Sequence, residues 1–311
     1  LDKSEMTAIT PINLAGISLT GLSVGDALGE TFFGPEAEIN ARIQERRLQP
    51  GDWLYTDDTV MGIGIYNVLS AYGHIDQNAL AKEFADNYLL DNYRGYGGTA
   101  HSILRGIAEG QHWKQVSSNV FDGMGSMGNG AAMRSGLIGA YFYNDTRQVI
   151  EQARLAAEVT HYHSEAVAGA ISVALAACIC ARKGINRERL PPATLYDFVI
   201  SHTPESEVKR LIKKAATLPA DYDIRTIVAV LGNGLRLTAQ DTVPFAIWCI
   251  ANNSGSYSEA IWKGISGLGD RDTIGAIIGS VVVLSAGAAT IPEQWLLQTE
   301  KFGSSIFSKQ K

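Results

Sequence analysis

Two stretches without a charged side chain, residues 166–181 and 274–291, constrain this fold more than any other feature. Each is rich in Gly, Ala and Ser, and each begins beside a polar cluster. A membrane-crossing helix needs about 20 mainly apolar residues. These runs have 16 and 18, and their small residues would let neighbouring helices approach closely. Both are therefore expected to be central helices of a bundle, with no membrane partner. The run SVVVL (280–284) has β-rich propensity, but it lies inside a longer apolar segment whose length favours helix.

Helical periodicity continues elsewhere. Helices are expected over about 12–28, 57–72, 77–89, 98–109, 130–143, 147–159, 164–182, 205–215, 224–237, 242–252, 257–267 and 273–288. Strict two-residue alternation is nearly absent. The expected fold class is all-α, a compact helical bundle forming a single domain over 1–311. The segment 183–225 is more charged and carries four of the nine prolines. It is expected as a peripheral helical elaboration, with Pro191-Pro192 and Pro219 as breaks.

With 311 residues, 46% hydrophobic and 19% charged, the chain can bury a large core. A formal charge of −6 and the lack of any Lys/Arg-rich stretch exclude general nucleic-acid binding. Three cysteines, all in apolar runs, point to reduced core thiols, and no Cys-x-x-Cys spacing suggests zinc. LDKSEMTAIT has no secretory pattern. The expected setting is the cytoplasm and the expected state a monomer.

Chemistry concentrates at two helix openings. Thr56-Asp57-Asp58-Thr59 precedes an apolar run. Capping explains one or two of these residues, because Asp and Thr side chains accept from free backbone N–H groups. It does not explain two adjacent carboxylates, which repel unless something neutralises them. A hard divalent cation would, since Mg²⁺ and Mn²⁺ favour carboxylate and hydroxyl oxygens. Asp270 and Asp272, ahead of Thr273, repeat the pattern at the mouth of another apolar helix. Two such clusters suggest two metals about 3.5–4 Å apart, an arrangement suited to hydrolysis. The plainer alternative is a pair of unrelated N-caps.

GSMGNGAAMR (125–134) is a plausible anion cradle, with backbone N–H groups aimed at a phosphate, although a tight loop would read the same way. It lacks the Gly-Lys-Ser/Thr of a P-loop. In THYHSEA (160–166), the i, i+2 spacing of His161 and His163 is poor for one helical face. Hydrogen bonding suits His161 better than metal ligation.

Seven segments in order resemble the ADP-ribosylglycohydrolase family: GLSVGDALGE (21–30), YTDDTVM (55–61), RGYGGT (94–99), GSMGNGAAMR (125–134), TH (160–161), LGNGL (231–235) and GDRDTIGAIIG (269–279). RGYGGT and TVPFAIWCI (242–250) are most similar to the ADP-ribosylserine hydrolase branch. The resemblance implies an all-α bundle with a binuclear Mg²⁺ or Mn²⁺ centre that cleaves the glycosidic bond between ADP-ribose and an acceptor, such as a protein side chain. It implies Thr56, Asp57, Asp58, Asp270, Asp272 and Thr273 as metal ligands. Gly97, Gly125, Ser126, Gly128, Asn129 and His161 match positions lining the diphosphate and riboses. Phe121 falls where an adenine-stacking aromatic occurs.

The family pattern is broken in four places. Phe33 stands where related enzymes carry a glutamate near the scissile bond, with Glu30 and Glu36 as flanking substitutes. Arg271 separates the two aspartates, where it could pair with a carboxylate or point away. Leu268 replaces a glycine, and Met127 an aromatic. Asp270 or Glu30 is accordingly the expected proton-handling group. Two rival functions stand beside the hydrolase: an ADP-ribose-binding protein without catalysis, and a two-metal phosphohydrolase acting on the diphosphate.

Overall fold

The computed structural model describes residues 9–303. Sixteen α-helices run through them: α1 (Pro11–Glu30), α2 (Glu36–Glu45), α3 (Asp57–Tyr72), α4 (Gln77–Leu90), α5 (Gly98–Ala108), α6 (Trp113–Asn119), α7 (Gly136–Tyr141), α8 (Thr146–Glu158), α9 (Ser164–Ile185), α10 (Pro192–His202), α11 (Glu207–Ala215), α12 (Ile224–Leu231), α13 (Ala239–Asn253), α14 (Tyr257–Ile265), α15 (Arg271–Ala286) and α16 (Glu293–Gln298). Among the described residues the only β-pairings are isolated bridges, Trp53 to Thr299 and Gly128 to Thr238. The fold is all-α.

The small residues explain the centre of the bundle. Gly21, Gly25 and Gly29 of α1 face Gly279, Gly275 and Arg271 of α15, so the two helices run antiparallel with their backbones in contact. A Cβ on any of these glycines would overlap a carbonyl across the interface. This close approach brings the last turns of α1 against the first turn of α15. SVVVL is helical within α15. The other long apolar helix, α9, is 83% buried over its most apolar window, covered by α7, α8, α10, α13 and α15.

Four short helices, α2, α6, α10 and α16, lie outside the expected set. Pro191-Pro192 reads as a break, yet proline at the first helical position is preorganised to start a helix, as Pro192 does in α10. The segment 183–225 holds α10 and α11, whose Leu195, Val199, Val208 and Ile212 are fully buried. The helix expected over 130–143 is instead a 3₁₀ turn at Asn129–Ala131 followed by α7. Arg134 Nη1 donates to the Gly130 carbonyl at 2.7 Å, occupying the acceptor that a continuous helix would give to the Arg134 N–H. The helix expected to run to 237 stops at Leu231, where Gly232 turns to φ 85°.

Candidate active site

The site begins with a buried aspartate of α1. Asp26 is fully buried, the one charged side chain of an apolar helix apart from its terminal Glu30. It accepts from the Thr56 N–H (3.0 Å), the Thr59 N–H (3.1 Å) and the Thr59 hydroxyl (2.5 Å), and the Thr56 hydroxyl lies 2.9 Å away. One carboxylate thereby satisfies donors that the first turn of α3 would otherwise leave free. The Asp57 N–H donates to the Arg94 carbonyl (2.7 Å), while the Arg94 guanidinium forks onto Glu300 and reaches the Tyr55 carbonyl. These bonds fasten the 94–99 loop beside Asp57.

The opening of α15 is held differently. Its N-cap, Asp270, makes no side-chain capping bond and instead accepts from Asn129 Nδ2 at 2.6 Å. The Thr273 hydroxyl reaches across to Asp58 Oδ2 at 3.4 Å, joining the two helix starts. Asp58 Oδ1 and Asp272 Oδ1 are buried and have no hydrogen-bond partner among the described residues. No Lys, Arg or His among the described residues makes an ion pair with any of these carboxylates.

Asp57, Asp58, Asp270, Asp272 and Thr273 line one cavity of about 220 Å³. Larger grooves exist elsewhere, but each is lined by a single carboxylate, so chemistry and not size singles out this one. As they stand, no three His, Cys, Asp or Glu side chains among the described residues converge on one ion position; the donors form walls around a space. Burial and mutual repulsion push Asp57 and Asp58 well above the ordinary carboxylate range. Burial, then the Asp272 charge, raises Asp270 to about 8. Burial raises Asp26 to about 7 against the opposing pull of its threonine hydrogen bonds.

The opposite wall can take an anion. Gly97, Gly98, Thr99 and Ala100 line the cavity, and the N–H groups of Gly98, Thr99 and Ala100 have no acceptor among the described residues. They are the free donors of the first turn of α5, at its positive dipole end. The 125–130 loop contributes less backbone than expected. The Gly128 N–H donates to Ser126 Oγ (3.1 Å) and the Asn129 N–H to the Leu237 carbonyl (3.1 Å). The first turn of α5 therefore adds free backbone donors to those that Ser126 and Gly130 leave on the loop.

A family model described as ADP-ribosylglycohydrolase matches residues 13–308. The chain belongs to the ADP-ribosylglycohydrolase family. The ADP-ribosylhydrolase ARH3 of Xenopus tropicalis is 30% identical over 326 residues, covering 92% of this chain and 90% of the relative. The ARH3 of Bos taurus is 27% identical over 333 residues, covering 91% and 88%. A solved structure described as an ADP-ribosylglycohydrolase-related protein complex shares the fold, with a TM-score of 0.66 at 22% identity and 93% coverage of both chains.

Within this ADP-ribosylglycohydrolase fold, Gly97, Ser126, Gly128, Asn129 and His161 join the acidic residues on the cavity wall. Thr56 is buried just behind it, in the Asp26 network. Gly125, Met127, Phe121 and Glu30 do not line it. Phe121 is 55% exposed in a left-handed conformation (φ 54°), and the Met127 sulphur faces Gln240 Nε2 at 3.3 Å. Glu30, exposed on the last turn of α1, is raised to about 7 by partial burial of its carboxyl and by Asp272.

Two of the departures from the family pattern turn out to be one contact. Arg271 makes no ion pair with its neighbouring aspartates. It donates to the Phe32 and Leu268 carbonyls (2.9 and 3.3 Å) and lies 4.6 Å from the centre of the Phe33 ring. Leu268 adopts φ 57°, a conformation that glycine takes at no steric cost. Asp26 and Leu237 were missed as site residues. The signal for Asp26 was present, a charge in the interior of an apolar helix. Leu237 has none, because it reaches the cavity through a loop turn.

Proposed function

We propose that this chain hydrolyses the glycosidic bond between ADP-ribose and an acceptor, using two divalent cations, Mg²⁺ or Mn²⁺. One observation carries the proposal: two acidic helix starts more than two hundred residues apart line one cavity, with buried carboxylate oxygens that no donor among the described residues satisfies. The donor set fits hard cations, being carboxylate and hydroxyl oxygens without a compensating Lys or Arg. Thr56, Asp57, Asp58, Asp270, Asp272 and Thr273 would hold them. When bound, such ions neutralise the carboxylates and polarise a ribose hydroxyl or water.

The remaining residues supply binding and proton handling. The N–H groups of Gly98, Thr99 and Ala100, with Ser126 and His161, suit the diphosphate. A volume of about 220 Å³ takes a sugar and its nearest phosphate, leaving the rest of the nucleotide along the mouth toward Leu237. Departure of the acceptor passes through an oxocarbenium-like state and needs a proton. Asp270 would be kept ionised by a bound cation, so of the two expected carriers Glu30, raised to about 7 although outside the cavity lining, is the one able to hold a proton near neutral pH. The acceptor is expected to be a serine or arginine side chain of an ADP-ribosylated protein.

Phe33 favours a second reading, a binding protein without turnover, because it puts a ring where related enzymes place a carboxylate. One experiment separates the readings. The protein is incubated with Mg²⁺ or Mn²⁺ and with serine- and arginine-ADP-ribosylated peptides. Release of free ADP-ribose is expected. Tight binding with no release on either linkage would support the second reading, whereas AMP plus ribose phosphate would mark a phosphohydrolase.

A further inference from the structure

Arg134 is 1% exposed, yet its guanidinium meets no carboxylate. Nη1 donates to the Gly130 carbonyl (2.7 Å) and lies 3.5 Å from Met61 Sδ. Nη2 donates to the Ala156 carbonyl (3.3 Å) and to Thr160 Oγ1 (2.8 Å), and Phe84 presents its ring 4.6 Å from the guanidinium carbon. Asp57 and Asp58 act on the guanidinium only at a distance, and burying a charge without a directly paired counter-ion is costly, so the arrangement needs a reason beyond packing.

Thr160 provides it. Its hydroxyl oxygen accepts from Arg134 and lies 2.8 Å from His161 Nδ1, with no other partner among the described residues. Arginine can only donate. The Thr160 proton therefore has one destination, Nδ1, and the network assigns the histidine's own proton to Nε2. Nε2 sits where the 128–130 turn passes closest: a Cβ on Gly128 or Gly130 would come within 3.0 Å of it. The imidazole lines the cavity together with both glycines.

We propose that Arg134 and Thr160 are positioning residues that lock His161 as a neutral Nε2–H donor aimed at an anionic oxygen of the ligand in this cavity. The ligand's identity rests on the ADP-ribosyl reading above; the lock does not. A locked His161 can be neither a base nor a metal ligand, because one nitrogen accepts from Thr160 and the other carries a proton. Charging it would turn Nδ1 into a donor and leave the buried Thr160 proton without an acceptor. Burial and the Arg134 charge accordingly depress the imidazole to about 3. The other titratable groups on the cavity wall are Asp57, Asp58, Asp270 and Asp272.

Imidazole ¹⁵N NMR of the intact protein reads the tautomer directly, with His161→Gln assigning the resonance. The expected wild-type pattern is neutral Nε2–H from pH 5 to pH 8. Thr160→Val removes the donor to Nδ1 and is expected to give the Nδ1–H form or a mixture. It should also weaken ADP-ribose binding roughly tenfold, in KM more than in kcat, and Thr160→Ser should restore both. Arg134→Met is expected to act like Thr160→Val; if it does not fold, the threonine pair decides alone. A charged or Nδ1–H histidine in the wild type, or an unchanged tautomer in Thr160→Val, overturns the lock. A locked Nε2–H in a protein that binds no ADP-ribose upholds the lock and overturns the functional reading instead.

Discussion

The backbone donors of the first turn of α3 are taken up by other parts of the protein, whereas those of the first turn of α15 have no acceptor among the described residues. At α3, Asp26 reaches over from α1 to take the donors of Thr56 and Thr59, and Arg94 takes the Asp57 N–H through its carbonyl. At α15, the Asp270 carboxylate turns away to Asn129, and Asp272 keeps a buried oxygen with no partner among the described residues. Both openings carry the same residue types. The difference teaches that the α3 cluster is tied into the fold chiefly through Asp26, while the α15 cluster is tied through Asn129 and Arg271; each leaves one buried carboxylate oxygen toward the cavity without a partner among the described residues.

Mutations should separate the two. Asp272→Asn keeps shape and removes charge. ADP-ribose release is expected to fall at least on the order of a hundredfold. Unfolding in chelator should be unchanged or shifted to higher denaturant, because repulsion among the remaining carboxylates eases. Wild-type turnover in this variant would remove α15 from the site. Asp26→Ala should do the reverse to stability, costing about 3 kcal/mol in urea titrations through lost buried hydrogen bonds. A loss below about 1 kcal/mol would mean that α3 does not depend on α1 for its start.

A pH series sharpens the contrast without mutation. Asp26 and Asp270 stand at about 7 and about 8 in the fold, against 3.8 ordinarily. A raised carboxyl stays protonated in the folded chain while the unfolded chain has already ionised. Its contribution to stability is therefore complete below about pH 4 and is lost as pH climbs through 7 to 8. In chelator, the melting temperature should fall between pH 5 and pH 8.5. Saturating Mg²⁺ or Mn²⁺ should flatten that fall. A melting temperature that rises over this range in chelator would contradict the cluster's electrostatics. The smallest effect is expected at Leu268→Gly. Relief of the left-handed conformation and loss of a partly buried side chain should cancel to within about 1 kcal/mol, with activity retained.

Much of this was legible in the chain because the helices that matter most are long and periodic. The two acidic clusters, and the apolar runs they open, could be read as segments. What could not be read was single residues acting at a distance. Asp26, Arg134 and Thr160 are isolated polar side chains in or beside apolar helices, and their meaning appears only when another element supplies the partner. The backbone anion donors were sought in the glycine-rich 125–130 loop, but the N–H groups of Gly125, Gly128 and Asn129 are used within the chain, and α5 offers further free ones. The α10 helix escaped because Pro192 starts a helix where proline was expected to end one, and the six- and seven-residue helices α16 and α6 because fewer than two turns carry too little periodicity.

The most direct test is an anomalous-difference map from crystals grown with Mn²⁺. Two peaks roughly 3.5–4 Å apart, between Asp57 and Asp58 on one side and Asp270 and Asp272 on the other, are the expected result. Peaks confined to the surface, or none at all at saturating Mn²⁺, would contradict it.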